Sequence, residues 1–274
     1  MTLSPAVYCV ATHHKGGTVW MKQVFRAFAK ALDIPIIGMW SDRQLADVPQ
    51  DRPAFLVNWH GWFPRAIWDN PAARFFHVIR DPRDILLSGW QYHQTAGPKG
   101  EKFLHTVRAD LGGKTYQQAL NCIADKDEQI LFEMREKHAV TVQEMLDWPY
   151  DDPRQITLRY EDLMQDQDCS LFKSALRHLG FHQAAVDQGA KAFWNKSLFG
   201  GQSKDETRPG HVQSGAITRR ATELPHAVGV AYEHEYGAAL KQLGYSENNT
   251  WVDELSVEFT QTTGQSPSKG EINR

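Results

Sequence analysis

Apolar and polar positions along the chain alternate between strand-like and helix-like periods. Ala6 to Ala11 (AVYCVA) is a short β-rich apolar run and predicts a buried strand. Gly16-Gly17 breaks it, and from Thr18 the apolar positions Met21, Val24, Phe25, Phe28 and Leu32 recur at helical spacing. The chain therefore opens strand, glycine loop, helix, with Pro35 and Gly38 marking the exit. Residues 41–53 read as a loop holding at most a short helix. Phe55 to Trp59 predicts a second strand and Phe75 to Ile79 a third, which ends at Arg80-Asp81-Pro82. Pro82 suits the first turn of a helix that carries Ile85, Leu86 and Trp90 on one face.

Beyond that helix the glycines and proline of 97–115 read as a mobile loop or insertion. A long helical pattern covers Tyr116 to Trp148, with a break near Asp125–Asp127, and Pro149 and Pro153 end it. Gln155 to Tyr160 alternates as a fourth strand. Helices are predicted over about Ser170–Leu179, Ala184–Phe193 and Leu224–Leu243, while 200–221 shows no clear period. Strands alternating with helices argue an α/β domain with a largely parallel central sheet flanked by helices, over residues 1–245. Residues 246–274 read as a polar, partly disordered tail. In such sheets ligands sit where strand ends lead into helix N-termini. Three features fall there: the Gly16-Gly17 loop, the His60-Gly61 turn and the Arg80-Asp81-Pro82 turn.

Composition narrows the classes. The 274 residues carry 30 Lys+Arg against 33 Asp+Glu, a net charge of −3, which excludes a globally basic, nucleic-acid-coating protein. An anionic ligand must then be gripped by a local pocket. Cys9, Cys122 and Cys169 are odd in number and widely spaced, so no disulfide framework or zinc ribbon is expected. The twelve His form no H-E-x-x-H pattern or tight cluster, and no metal is expected. Without a signal or an apolar run of membrane-spanning length, the expectation is a soluble cytoplasmic protein.

The loop Thr12-His13-His14-Lys15-Gly16-Gly17-Thr18-Val19-Trp20 points backbone N–H groups at an anion, with Lys15 adding charge and Thr18 a hydroxyl. It is no Walker A loop, because the lysine precedes the glycines. Arg80 at a strand end can fork two N–H bonds onto a phosphate, and Ser88 lies on the following helix. Asp81, Arg83 and Asp84 suit a capping and salt-bridge role. His60 stands at the end of the second strand, and an imidazole is a side chain suited to accept a hydroxyl proton as general base. Tyr160-Glu161-Asp162-Leu163 follows the fourth strand.

These motifs, in this order, resemble the sulfotransferases that use 3′-phosphoadenosine 5′-phosphosulfate (PAPS). That family's 5′-phosphosulfate loop reads about T-x-P-K-S-G-T-T-W, which Thr12, Lys15, Gly17, Thr18 and Trp20 match. His14, Gly16 and Val19 depart from it, and Val19 removes a hydroxyl donor. Arg80 to Ser88 meets every position of the 3′-phosphate motif R-[ND]-P-[RK]-D-x-x-x-S. Asn58-Trp59-His60 stands where cytosolic-type members carry K-T-H, whose histidine is the base. The resemblance thus implies a P-loop-like sulfotransferase fold, with His60 and Lys15 catalytic. It implies nucleotide contacts from Lys15, Gly16, Gly17, Thr18, Val19, Trp20, Arg80, Ser88 and Tyr160, with Trp20 stacking on the adenine. A late loop, R-K-G-x-x-G-D-W in the family, is met only by Gly215. Gln213 and Ser214 stand at its basic positions, so the resemblance implies that Gln213, Ser214 and Gly215 contact the nucleotide with Gln213 and Ser214 as neutral donors, the alternative being that Arg219 or Arg220 supplies the charge.

The activity implied is transfer of a sulfuryl group from PAPS, leaving 3′-phosphoadenosine 5′-phosphate (PAP). The acceptor is a hydroxyl or amine of a small molecule, a saccharide or lipid remaining open. Of Trp40, Trp59, Trp62, Phe63, Trp68 and Trp90, some are expected to line an apolar pocket for it and at least half to pack in the core. The alternatives are a P-loop kinase and a non-catalytic nucleotide-binding protein on the same fold. The sequence does not indicate the oligomeric state.

Overall fold

A computed structural model describes residues 6–98, 101–200 and 218–255. The chain runs β1 (Val7–Ala11), α1 (Thr18–Leu32), β2 (Ile36–Gly38), a 3₁₀ turn, β3 (Ala54–Asn58), α2 (Arg65–Trp68), β4 (Ala73–Ile79) and α3 (Pro82–Thr95). A two-stranded hairpin, β5 (Val107–Arg108) and β6 (Lys114–Thr115), precedes α4 (Tyr116–Cys122). Next, α5 (Lys126–Glu133) passes through one π turn, Met134–His138, into α6 (Ala139–Leu146). The chain closes with β7 (Gln155–Arg159), α7 (Tyr160–Gln165), α8 (Ser170–His178), α9 (Gln183–Asn195), α10 (Arg220–Glu223) and α11 (His226–Gln242). Asp125 caps α5 at the predicted break, accepting from the Glu128 N–H.

Five strands form one parallel sheet in the order β2-β3-β1-β4-β7. Its two faces separate residue by residue, as the pleat requires. Val10, Phe55, Val57, Phe76 and Val78 face a core of Phe25, Phe28, Phe172, Leu176 and Phe193 from α1, α8 and α9. Cys9, Ala11, Leu56 and Phe75 face Met39, Phe63, Ile67 and Trp148. Burial on both faces explains why the strands read as unbroken apolar runs. A third cluster packs α3 and α5 against α11, and includes Trp251, Val252 and Leu255. Packing therefore continues ten residues past the expected domain end at 245.

Two expectations are corrected. Ile36–Gly38 is a strand at the sheet edge rather than a mere exit turn, paired with Phe55 to Val57. Within 97–115, the described residues build a 3₁₀ turn at Lys102–His105 and the β5–β6 hairpin. Leu104 is fully buried there, so the segment is packed rather than loose.

The register positions the chemistry. Ala11 lies opposite both Asn58 and His77, so β1 and β3 end level and β4 runs two residues further, to Ile79. From β1 the order runs outward in both directions, and the crevice this creates lies at those strand ends.

Candidate active site

The loop after β1 is held by its backbone. Lys15 and Gly17 both have positive φ, 60° and 95°. The Gly16 N–H donates to the His13 carbonyl at 2.9 Å. Gly17 heads α1 with no side-chain cap, and no acidic residue stands in the first turn. The first N–H groups of a 15-residue helix thus open toward a cavity, where the helix dipole favours an anion. A Cβ at Gly17 would come 2.9 Å from the Tyr160 ring, so this glycine serves a close approach as well as its φ.

A cavity of about 280 Å³ lies over this helix start. Lys15, Gly17, Thr18, Val19 and Trp20 line it from the loop and α1. Arg80 and Ser88 line it from β4 and α3, Tyr160 from α7, and His60 from the turn after β3. Nine of the expected residues thus meet at one site. Gly16 does not line it, because its N–H is spent on His13 within the turn. Gln213, Ser214 and Gly215 lie outside the described residues.

Arg80 joins the loop to the sheet. Its Nη1 donates to the Lys15 carbonyl at 3.2 Å, and its guanidinium lies 4.7 Å from the Tyr160 ring centre. Trp20 meets Tyr160 edge to face and leans on Phe193. Lys15 Nζ sits 3.8 Å over the Tyr92 ring. Burial, and after it the Arg80 charge, lowers the Lys15 pKa to about 8. Thr18 Oγ donates to the His13 carbonyl at 2.9 Å and lies 2.8 Å from the Thr12 hydroxyl, so it also braces the loop.

His60 is half exposed, and its Nδ1 lies 3.2 Å from Glu144 Oε1. Burial alone would raise the Glu144 pKa, but the His13 ring 3.7 Å away and His60 at hydrogen-bond distance bring it to about 2. A carboxylate accepts, so it holds the proton on His60 Nδ1 and leaves Nε2 as an acceptor. Asn58 is turned away from this chemistry. Its Oδ1 takes the N–H groups of His60 and Trp62, and its Nδ2 donates to Met39. The side chain thus shapes the turn that presents His60.

Arg83 is fully buried in the salt-bridge cluster at the start of α3, where the Asp81 side chain caps the helix by accepting the Arg83 N–H. Arg83 pairs with Asp81 through Nε and Nη2, and Nη2 also donates to the Tyr245 carbonyl. Arg219 is committed to Glu223 and Gln91, and Arg220 to Asp81 at 2.9 Å. Neither lines the cavity, because carboxylates near the start of α3 and on α10 claim both. Among the tryptophans, Trp20 and Trp59 line it. Trp68 stacks on Phe75, Trp90 donates to Gln129, and Trp40 and Trp62 are exposed.

Several lining residues carried no sequence signal. Lys196 and Leu198 follow α9, Met164 lies on α7, and Glu101 stands after α3. They come from separate elements with no motif spacing. Among the described residues no group of three or more His, Cys, Asp or Glu is placed to hold a metal ion, and no helix is long and apolar enough to cross a membrane.

A family model described as "Sulfotransferase domain" matches residues 8–182. No curated protein matches the chain significantly. Among solved structures the chain is similar to mouse sulfotransferase SULT7A1 complexed with PAP. That match has 14% identity, 91% of this chain and 87% of the other covered, and a TM-score of 0.49. It is also similar to retinol dehydratase with retinol and PAP, at 14% identity, 97% and 85% coverage and a TM-score of 0.47. Retinol dehydratase with androsterone and inactive cofactor PAP gives 14%, 97% and 84%, and 0.44. The family model spans well over half of the sequence, and its extent takes in β1 to β7 and the loop, turn and strand-end residues described above: this chain belongs to the sulfotransferase domain family.

Proposed function

We propose that this protein transfers a sulfuryl group from PAPS to a hydroxyl or amine of a small-molecule acceptor, with His60 taking the acceptor proton. The observation that carries this reading is the convergence of Lys15, Arg80, Ser88, Trp20 and Tyr160 with His60 around one cavity.

The residues fit a doubly anionic nucleotide. Arg80 Nε and Trp20 Nε1 are buried donors with no partner among the described residues. Lys15, Lys196 and Arg80 supply positive charge, and Ser88 supplies a hydroxyl. Trp20 and Tyr160 supply aromatic surface for a base. PAPS supplies, when bound, an activated sulfuryl group and a phosphate leaving group. Lys15 and the open N–H groups of α1 stabilise negative charge developing at the loop. His60 holds its Nε2 as a proton acceptor because Glu144 fixes Nδ1. Positioning and electrostatics then account for catalysis, as in phosphoryl transfer.

Calorimetric titration with PAP, in the absence of metal and with ADP as control, tests the reading. The two ligands differ chiefly in where the second phosphate sits, at the 3′ position that Arg80 and Ser88 would hold in PAP and on the 5′-phosphate in ADP. Micromolar PAP binding with much weaker ADP binding is expected. Equal or absent binding removes the proposal. Separately, His60→Asn is expected to lose roughly 10²-fold or more in turnover with PAP affinity intact.

A further inference from the structure

His14 occupies the loop position where the resembled motif has proline, and it lines the cavity beside Lys15. Its Nε2 lies 2.9 Å from Nε2 of His93 on α3. His93 Nδ1 in turn lies 2.7 Å from Glu133 Oε2 on α5, and the Tyr116 hydroxyl donates to the same oxygen at 2.6 Å. His93 and Glu133 are almost fully buried.

Hydrogen-bond logic sets the protons. The Glu133 carboxylate accepts, so His93 carries its proton on Nδ1 and accepts on Nε2. His14 must then donate through Nε2, which leaves Nδ1 a bare acceptor. That atom faces Glu101 Oε1 at 3.8 Å, beyond hydrogen-bond reach.

We propose that His14 is a second proton acceptor of the cavity, wired through His93 to Glu133, which takes the acceptor's proton in parallel with His60; this rests on the sulfuryl-transfer reading above. The acceptor O–H bond breaks, leaving its electron pair on oxygen, and its proton forms an N–H bond at His14 Nδ1. The Nε2 proton of His14 passes to His93 Nε2. The positive charge comes to rest on His93, against the Glu133 carboxylate.

The wire solves a local problem. Burial most of all, then the charges of His93, Lys15, Lys137 and His60, push the His14 pKa well below its usual value. Glu101 is the acidic group facing it, and burial raises that carboxyl above its usual range. An unaided His14 would therefore be a weak base. Moving the charge one ring away, to a carboxylate 2.7 Å distant, restores its capacity.

The test is ¹⁵N-histidine NMR on the whole protein, with and without PAP, on wild type and Glu133→Gln, and with Tyr116→Phe as a milder variant. Expected are a His14 with Nε2 protonated and Nδ1 bare at neutral pH, and a His93 protonated on Nδ1. Glu133→Gln should lower the His14–His93 titration by about one pH unit or more. The opposite tautomer on His14, or a titration indifferent to Glu133, overturns the proposal. In labelled transfer from PAPS to 2-naphthol, the residual rate of His60→Asn should fall about tenfold further when His14→Asn is added. An unchanged residual rate overturns it as well. His14→Asn should keep PAP affinity within about threefold; loss of binding would make His14 part of the nucleotide site instead. If wild type fails to bind PAP, the sulfotransferase reading falls while the NMR result on the wire still stands.

Discussion

A lysine held near neutrality is sensitive in a way that an exposed one is not. Lys15, with its pKa lowered to about 8 by burial and by Arg80, is charged below that pH and neutral above it. Glu101 and Glu133 partly offset the shift, and Arg219 adds to it. PAP affinity is therefore expected to be fullest below pH 8 and to weaken as pH rises through it, read by calorimetry between pH 6.5 and about 9.5. Affinity flat across that range would remove Lys15 from the anion site. Lys15→Ala should weaken PAP binding at neutral pH and abolish this pH dependence. Such residues were legible because each sits inside a contiguous motif at a strand end. His93, Glu133 and Tyr116 were not, because they come from three helices and meet only through tertiary packing.

Elements explain both what was read and what was missed. The loop-to-helix geometry at Gly17 follows from φ 95° and a ring 2.9 Å from any added Cβ. Gly17→Ala should cost about 1–3 kcal/mol and displace Tyr160, so urea midpoint and PAP affinity fall together. Unchanged PAP binding in a folded variant would show that Tyr160 has no role there. At the start of α3, Asp81 pairs with the buried Arg83 through Nε and Nη2 and also with Arg220. Asp81→Asn leaves a buried cation without its carboxylate and should cost about 3–5 kcal/mol in urea unfolding. A loss below 1 kcal/mol would mean that solvent reaches Arg83. The strand β2 escaped the sequence reading because three residues, two isoleucines and a glycine after Pro35, show no period of their own. Only pairing to β3 makes them a strand. The 101–115 segment escaped for the same reason, since the burial of Leu104 depends on partners distant in sequence.

At the scale of the whole molecule, buried neutral histidines set the response to acid. Burial lowers the pKa of His13, His14 and His77, and brings His138 to about 3. Each therefore binds its proton more readily in the unfolded chain, near pH 6.5. Stability should be full above that pH and fall as pH drops through 6.5 toward the folded values. Each group contributes up to about 1.4 kcal/mol per pH unit. Urea midpoints at pH 7.5 and 5 measure this, and equal midpoints would show that these rings are already charged in the folded state. The parallel sheet and its two covered faces were readable from apolar runs alone, whereas this burden of buried imidazoles was not, since it arises only when helices close over the sheet. One glycine ties the histidine wire to heredity. A Cβ at Gly89 would stand 2.7 Å from Glu133 Oε1, so a larger residue there must shift the carboxyl group whose other oxygen meets His93. Positions 14, 89, 93 and 133 are therefore expected to change together among kindred chains. A kindred chain with a larger residue at 89 is expected to lack the histidine at 14; chains that vary at 89 while keeping that histidine would show the four to be independent.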